Sequence, residues 1–338
     1  MPLTGSLAKP EAVAVLLSIF NGEKYLQEQL DSLIGQSLAE WTIIWRDDGS
    51  SDGSRGIMLR FARTVGEHRC IELANTRRHI GTTRSYMALL RAAADFPLVA
   101  FADQDDVWLP EKLARAAASL RGTTDTFPAL YCARQVVVDS RLNPLCESMR
   151  LHRTPCFPDS LVQNVAAGCT VVLNRSAVSL INTTSPPETS VHDWWCYIVV
   201  SAAAGRIVVD DVPVILYRQH EGNTIGLARS NVGRAIRALR RGQHEFFRRF
   251  EAHVAALQRH EHLLSPTARR DLDAIALALD TGPIARANLV CRARLRRQTW
   301  IEDVLLACWL CLGQGKLGAT MAWRHPARHS EDLAEPFR

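Results

Sequence analysis

Four short apolar runs, at residues 13–19, 41–45, 70–73 and 98–102, are each followed by a stretch of helical periodicity, and this alternation is the strongest constraint on the fold. The first run is broken by Phe20-Asn21-Gly22, after which Tyr25, Leu26, Leu30, Leu33 and Ile34 recur at helical spacing over 23–37. The second ends in Arg46-Asp47-Asp48-Gly49-Ser50, whose Asp, Gly and Ser suit a turn and a helix N-cap, and a helix is expected over 54–64. Helices over 82–94 and 110–120 follow the third and fourth runs. Strands alternating with helices of this length predict right-handed βαβ crossovers and an α/β fold, its mostly parallel sheet covered by helices on both faces.

The fourth run delivers three carboxylates, Asp103, Asp105 and Asp106, just before Pro110-Glu111, a pair suited to the first turn of a helix. Ligands of open α/β sheets bind at this carboxyl edge. Carboxylates so close repel by up to about 4 kcal/mol per pair at 4 Å in an effective dielectric near 20, so a compensating cation is expected. Oxygen donors with no His or Cys beside them in sequence suit Mg²⁺ or Mn²⁺, which also accept phosphate oxygens. A solvated acidic turn capping the next helix is the alternative, and the commoner one for an isolated Asp-x-Asp.

Beyond residue 120 the pattern changes. Strands are expected at 131–138, 169–173, 207–209 and 214–217, and helices at 159–165, 175–181 and from 191 to about 203. A loop over 182–188 leads to His192-Asp193-Trp194-Trp195. From about 227 the chain is helical and basic: Val232, Ile236, Leu239, Phe246, Phe250, Val254 and Leu257 form a stripe, with Arg234, Arg237, Arg241, Arg248 and Arg249 off it. Ser265-Pro266 opens another helix, Thr281-Gly282-Pro283 breaks it, and a third is expected over 284–312.

With 47% hydrophobic and 22% charged residues the chain has an ordinary globular composition. Its N-terminus lacks the features of a secretion signal, and its most apolar stretch, near 304–312, is shorter than the ~18–20 residues that span a bilayer. The expectation is a cytoplasmic protein. Nine scattered cysteines form no disulfide or zinc pattern, and Cys308 and Cys311 are expected to be packed thiols on one helix.

Taken in order, Ser18-Ile-Phe-Asn21-Gly22, Asp47-Asp48-Gly49-Ser50, Asp103-Gln-Asp105-Asp106 and His192-Asp193-Trp194-Trp195 resemble the family 2 glycosyltransferases of the GT-A fold, in particular rhamnosyltransferase-like enzymes of bacterial surface polysaccharides. The resemblance covers about 13–226. It implies a tail at 1–12, a nucleotide-sugar half at 13–120, an acceptor half at 121–226 and a basic helical extension at 227–338. It further implies that Ser18, Asn21 and Asp48, with Asp47 as an alternative, lie against the nucleotide. Arg84 would lie near the diphosphate, although Ser85 stands where the family commonly has Asn. Asp103 and Asp105 match the metal-binding pair, with Asp103 also facing the ribose. Asp193 matches the catalytic base of an inverting transfer. His220 falls in a loop that closes over the nucleotide, and Asn164 and Gly168 fall in the acceptor-side segment.

The function so implied is metal-dependent, inverting transfer of a sugar, rhamnose among the candidates, from a nucleotide-diphosphate sugar to a glycan or lipid-linked acceptor in surface polysaccharide synthesis. Two rivals stand beside it. A sugar-nucleotide pyrophosphorylase should carry a Gly-rich basic loop after the first strand, which Ser18 to Gly22 lacks, and a non-catalytic nucleotide-sugar-binding protein has no use for Asp193. The basic helices suit an anionic membrane surface at the cytoplasmic face of the inner membrane, or equally a face packed on the catalytic part or in a homo-oligomer. Nucleic acid is discounted, since no recognised module accompanies the charge.

Overall fold

The computed structural model describes residues 12–73, 78–122, 127–220, 232–292 and 294–313. The tail at 1–11, residues 221–231, the side chains over 232–241 and the end of the expected basic extension, 314–338, lie outside the described residues.

Strands Val13–Ile19 (β1), Trp41–Asp47 (β2), Cys70–Glu72 (β3) and Leu98–Ala102 (β4) alternate with helices Leu26–Ile34 (α1), Ser54–Val65 (α2) and Thr82–Ala92 (α3). They pair in parallel in the order β3-β2-β1-β4, with Val13 opposite both Trp41 and Leu98. β1 is buried on both sides because its side chains alternate between two cores. Val13, Val15 and Leu17 meet α1, α2 and the helix Lys112–Leu120 (α4), which follows the short strand Val107–Trp108 (β5). Ala14 and Leu16 meet α3 and the helices Arg175–Asn182 (α5) and His192–Ala202 (α6). Leu16 and Leu17 are completely buried, each contributing about 1.5–3 kcal/mol.

The second half of the sheet is mixed. Ala129–Val138 (β6), Pro144–Glu147 (β7), Val172–Asn174 (β8) and Arg206–Arg218 (β9) continue the order β4-β8-β6-β9-β5, with β7 also on β6. β8 runs antiparallel to β4 and β6, β9 runs parallel to β6, and β5 and β7 are antiparallel to their partners. The parallel order is thus confined to β3-β2-β1-β4 and to the later pair β6-β9.

Several elements differ from expectation. β2 extends to Asp47, so Arg46 and Asp47 belong to a strand rather than a turn. The strands expected at 207–209 and 214–217 are the two ends of β9, whose middle is irregular in its pairing with β6. Asp210 lies in that irregular stretch and accepts from Arg115, Tyr131 and the Val212 amide, which interrupts the apolar pattern without ending the strand. The strand expected at 169–173 begins as a 3₁₀ turn, Gly168–Thr170, and the helix expected at 159–165 is only a turn, Asp159–Leu161.

The C-terminal helices are Val232–Gln258 (α7), Pro266–Thr281 (α8), Pro283–Cys291 (α9) and Trp300–Leu312 (α10). The single helix expected over 284–312 is therefore two. α10 opens on a capping box in which Thr299 accepts from the Glu302 amide and the Glu302 carboxylate accepts from the Thr299 amide. Phe250, Val254, Leu272, Leu306 and Leu310 join α6 in one buried cluster. Among the described residues no helix is long and apolar enough to cross a membrane.

Candidate active site

The carboxyl ends of β1, β2 and β4 form one edge, and most of the singled-out residues meet there. Ser18 Oγ lies 2.6 Å from Ser85 Oγ, which also accepts from Arg46 Nη1 at 3.2 Å. Asn21 has a φ of 48°, a left-handed conformation that Asn tolerates. Its Oδ1 accepts from the Ser51 amide at 2.8 Å, tying the loop after β1 to the loop after β2. A Cβ on Gly22 would lie 2.3 Å from Gln104 Oε1, and Gln104 itself bonds both backbone groups of Phe20. This interlock draws the β4 loop against the β1 loop.

The two acidic residues after β2 are engaged by protein. Asp47 Oδ1 accepts from the Gly49 and Ser50 amides at 3.2 and 2.8 Å, holding its own turn. Asp48 is buried, and its oxygens accept from the Ile80 and Gly81 amides at 2.8 and 2.9 Å. Arg46 forms a buried ion pair with Asp48, and His79 Nδ1 lies 3.0 Å from the same carboxylate. Asp48 therefore fastens the loop before α3 to the end of β2. Arg84 is exposed and pairs with Glu188 at 2.7 Å, linking α3 to the loop before α6.

Past β4 the three carboxylates diverge. Asp103 is partly buried, with Tyr86 Oη 3.1 Å from its Oδ1. Burial, then the charge of Asp105, raises its pKa to about 7. Burial and Asp103 also hold the Tyr86 phenol well above its usual range, so it keeps its proton to donate. Asp105 turns to His220, whose Nε2 is 2.8 Å from Oδ2. Asp106 is completely buried, accepts from the Arg218 amide at 3.1 Å, and is pushed well above the carboxylate range by burial and by its two neighbours.

Among the described residues Asp103, Asp106 and Cys169 each place a potential ligand atom within 4.8 Å of the others. Two features argue against that trio as the cation site. Burial, then Asp106, holds the Cys169 thiol protonated, and thiols are poor ligands for hard cations. Asp103 and Asp105 offer the carboxylate oxygens that Mn²⁺ or Mg²⁺ accept, and the His220 imidazole stands beside Asp105. Their accumulated negative charge, which raises Asp103, is the property a divalent ion would offset.

Three organising residues are not among those singled out from the sequence. Arg218 is 1% exposed; its guanidinium donates to Asp105 O, Ser140 O and Glu28 Oε2 at 2.8, 2.7 and 2.5 Å and stacks over Tyr25. Lys112, in a helix start that looks solvent-exposed, is completely buried and donates to Cys169 O at 2.6 Å over the Trp108 ring. Arg46 hides at the end of an apolar strand. A lone basic residue closing such a strand, as in Trp45-Arg46 and Tyr217-Arg218, is the one pattern that could have pointed to two of them.

Asp193 opens α6 on the other side of the edge. Its Oδ2 accepts from the Gly168 amide at 2.9 Å and Asn164 Nδ2 at 3.2 Å, and its Oδ1 from the Trp194 amide at 2.7 Å. It is close enough to Asp103 for its charge to contribute to that residue's raised pKa. Asn164 and Gly168 thus converge on Asp193. His192 is buried, stacks on Tyr86 with centroids 4.0 Å apart, and is kept neutral by burial. Trp194 and Trp195 are both buried, their indole nitrogens bonded to Ser160 O and Thr184 Oγ1, so they form core rather than a sugar-stacking wall.

The parallel half-sheet β3-β2-β1-β4, the acidic loop at its carboxyl edge and a carboxylate beyond it on α6 are the arrangement of a GT-A glycosyltransferase fold. Residues 14–179 match glycosyl transferase family 2, and this segment of the chain belongs to that family. It is similar to the dTDP-rhamnosyl transferase RfbG of Shigella flexneri, 24% identical over 218 residues that cover 62% of this chain and 73% of that one. The UDP-Glc:alpha-D-GlcNAc-diphosphoundecaprenol beta-1,3-glucosyltransferase WfgD of Escherichia coli is 25% identical over 189 residues, 56% of this chain and 69% of that one. The crystal structure of S. aureus TarS 1–349 in complex with UDP-GlcNAc shares the fold, with a TM-score of 0.56 over 82% of this chain and 80% of that chain at 17% identity.

Proposed function

We propose that this chain is an inverting glycosyltransferase that moves a sugar from a nucleoside-diphosphate donor to a glycan or lipid-linked acceptor in surface polysaccharide assembly. The observation that carries this reading is Asp193, oriented by three N–H donors across the edge from Asp103. Its Oδ1 takes only one of those bonds and so keeps a lone pair for an incoming proton. In the transfer, the acceptor oxygen attacks the anomeric carbon as its proton passes to Asp193. The bond from that carbon to the phosphate oxygen breaks with its electron pair, releasing nucleoside diphosphate with inversion.

The donor lies, in this reading, over the ends of β1 and β2, with Ser18, Asn21 and Asp48 framing the nucleotide. Asp103 and Asp105 would hold Mg²⁺ or Mn²⁺, which when bound offsets the charge of the leaving diphosphate. His220 steadies Asp105, and the helices α7 to α10 extend a catalytic part at 13–226. The named activities of the Shigella and Escherichia relatives make dTDP-rhamnose and UDP-glucose the first donors to test.

Asp193→Asn tests the proposal. The variant should lose about 10²–10⁴ in kcat while still binding donor by calorimetry. Undiminished turnover would remove Asp193 as the base.

A further inference from the structure

We propose that the solvent face of α10 docks on an anionic lipid bilayer. At 100° per residue, Trp300, Ile301, Val304, Cys308, Cys311 and Leu312 fall within about 120° of the helix circumference. All six are exposed, Trp300 by 71% and Leu312 by 72%, so Cys308 and Cys311 are surface thiols rather than the packed pair the sequence led us to expect. The opposite face is apolar as well, since Leu306 and Leu310 are buried in the core. Its acidic residues are engaged on the flank, Glu302 in the cap and Asp303 with Arg153. A helix at a protein surface normally turns charge outward, and one that is apolar on both sides belongs against a second apolar phase.

Charge identifies that phase. Arg292, Arg294 and Arg296 are exposed in the segment leading into Trp300, and among the described residues the carboxylate nearest the Arg294 guanidinium is Asp271, at 4.0 Å. Arginines beside an exposed Trp and aliphatic stripe match a headgroup layer above acyl chains. A second copy of this chain would bring the same arginines to the contact, whereas anionic headgroups complement them.

The docking face is also joined to the acceptor side. Gln163 donates to Glu302 Oε1 at 3.1 Å and accepts from the Gln298 amide at 2.8 Å, and the next residue, Asn164, holds Asp193. The bilayer would therefore lie beside the segment that positions the base, an arrangement suited to a lipid-linked acceptor; this last step rests on the reading of Asp193 above.

The experiment is flotation of the full chain with vesicles of phosphatidylglycerol and phosphatidylethanolamine, and with phosphatidylcholine alone. Binding should require the anionic vesicles and weaken with salt. The double variant Ile301→Asp/Val304→Asp and the triple variant Arg292→Gln/Arg294→Gln/Arg296→Gln should each reduce it, the triple by about a hundredfold. Both should keep the wild-type thermal unfolding transition. Asp193→Asn should float like wild type, so failure of the docking face and failure of the base are told apart. No flotation of the wild type, or equal flotation of the double variant, would overturn the proposal. So would a wild-type dimer that the double variant converts to monomer without any vesicle binding.

Discussion

The Gly168 amide donates to Asp193 Oδ2 at 2.9 Å, and a Cβ placed on Gly168 would meet that same oxygen at 3.3 Å and His192 Nε2 at 3.2 Å. Glycine at this position therefore lets the 3₁₀ turn approach the base closely. Gly168→Ala should fold but displace the carboxylate by a few tenths of an ångström. Misplacement of a catalytic group lowers turnover steeply, and a fall in kcat of about ten- to a hundredfold with little change in donor KM is expected. Steady-state kinetics with thermal unfolding checks it; unchanged kcat would separate the turn from the chemistry.

Asp105 and Asp106 are adjacent yet face different partners, His220 in one case and the Arg218 amide in the other. If the cation sits on Asp103 and Asp105, chelation should stop transfer, and Asp105→Ala should abolish the thermal stabilisation by Mn²⁺. His220→Ala should weaken that stabilisation by about ten- to a hundredfold in metal affinity, as expected for a group steadying a ligand. Cys169→Ser should leave it intact. A Mn²⁺ response lost in Cys169→Ser but kept in Asp105→Ala would transfer the site to the buried trio of Asp103, Asp106 and Cys169.

Arg218 holds the acidic loop through Asp105 O while reaching Ser140 and Glu28. Lysine has neither the reach nor the forked donors to serve these acceptors together. Arg218→Met should leave buried acceptors unpaired and destabilise the fold by about 3–5 kcal/mol. Arg218→Lys should retain part of that stability but weaken metal-dependent donor binding. Urea unfolding and calorimetry measure the two effects, and a destabilisation below about 1 kcal/mol in Arg218→Met would show that the guanidinium does not anchor the loop.

The parts legible in the sequence are those where burial writes a pattern. β1 and β4 are continuous apolar runs because both faces are covered, and the acidic loop after β4 stands out against them. β7 is exposed along its whole length and β5 has two residues, so neither carries a periodicity to read. Arg46, Lys112 and Arg218 are hidden for the opposite reason. Each is a charged residue taken into the core by main-chain carbonyls, carboxylates or an aromatic face that lie far away in sequence. The split between α9 and α10 was accessible in principle, since Thr299-x-x-Glu302 is a capping-box signature inside a stretch that otherwise looks like one helix.

His253 on α7 is completely buried, with Nε2 2.8 Å from Ser190 Oγ and its ring against Trp194 and Trp195 at the start of α6. Burial, reinforced by the charge of Arg249, lowers its pKa from 6.5 to about 3. Between those two values the unfolded chain binds a proton that the folded chain refuses. This histidine's contribution is therefore fully present above about pH 6.5 and is lost as the pH falls toward 3. His192, also lowered by burial, acts in the same direction. The slope from His253 alone approaches about 1.4 kcal/mol per pH unit in the middle of that window. His253→Gln, which still offers Ser190 a hydrogen-bonding partner, should remove that slope. Urea unfolding at pH 7, 6 and 5 on both proteins should therefore show the wild type losing stability faster than the variant as the solution is acidified, and parallel losses would mean that His253 is protonated without unfolding the contact to α6.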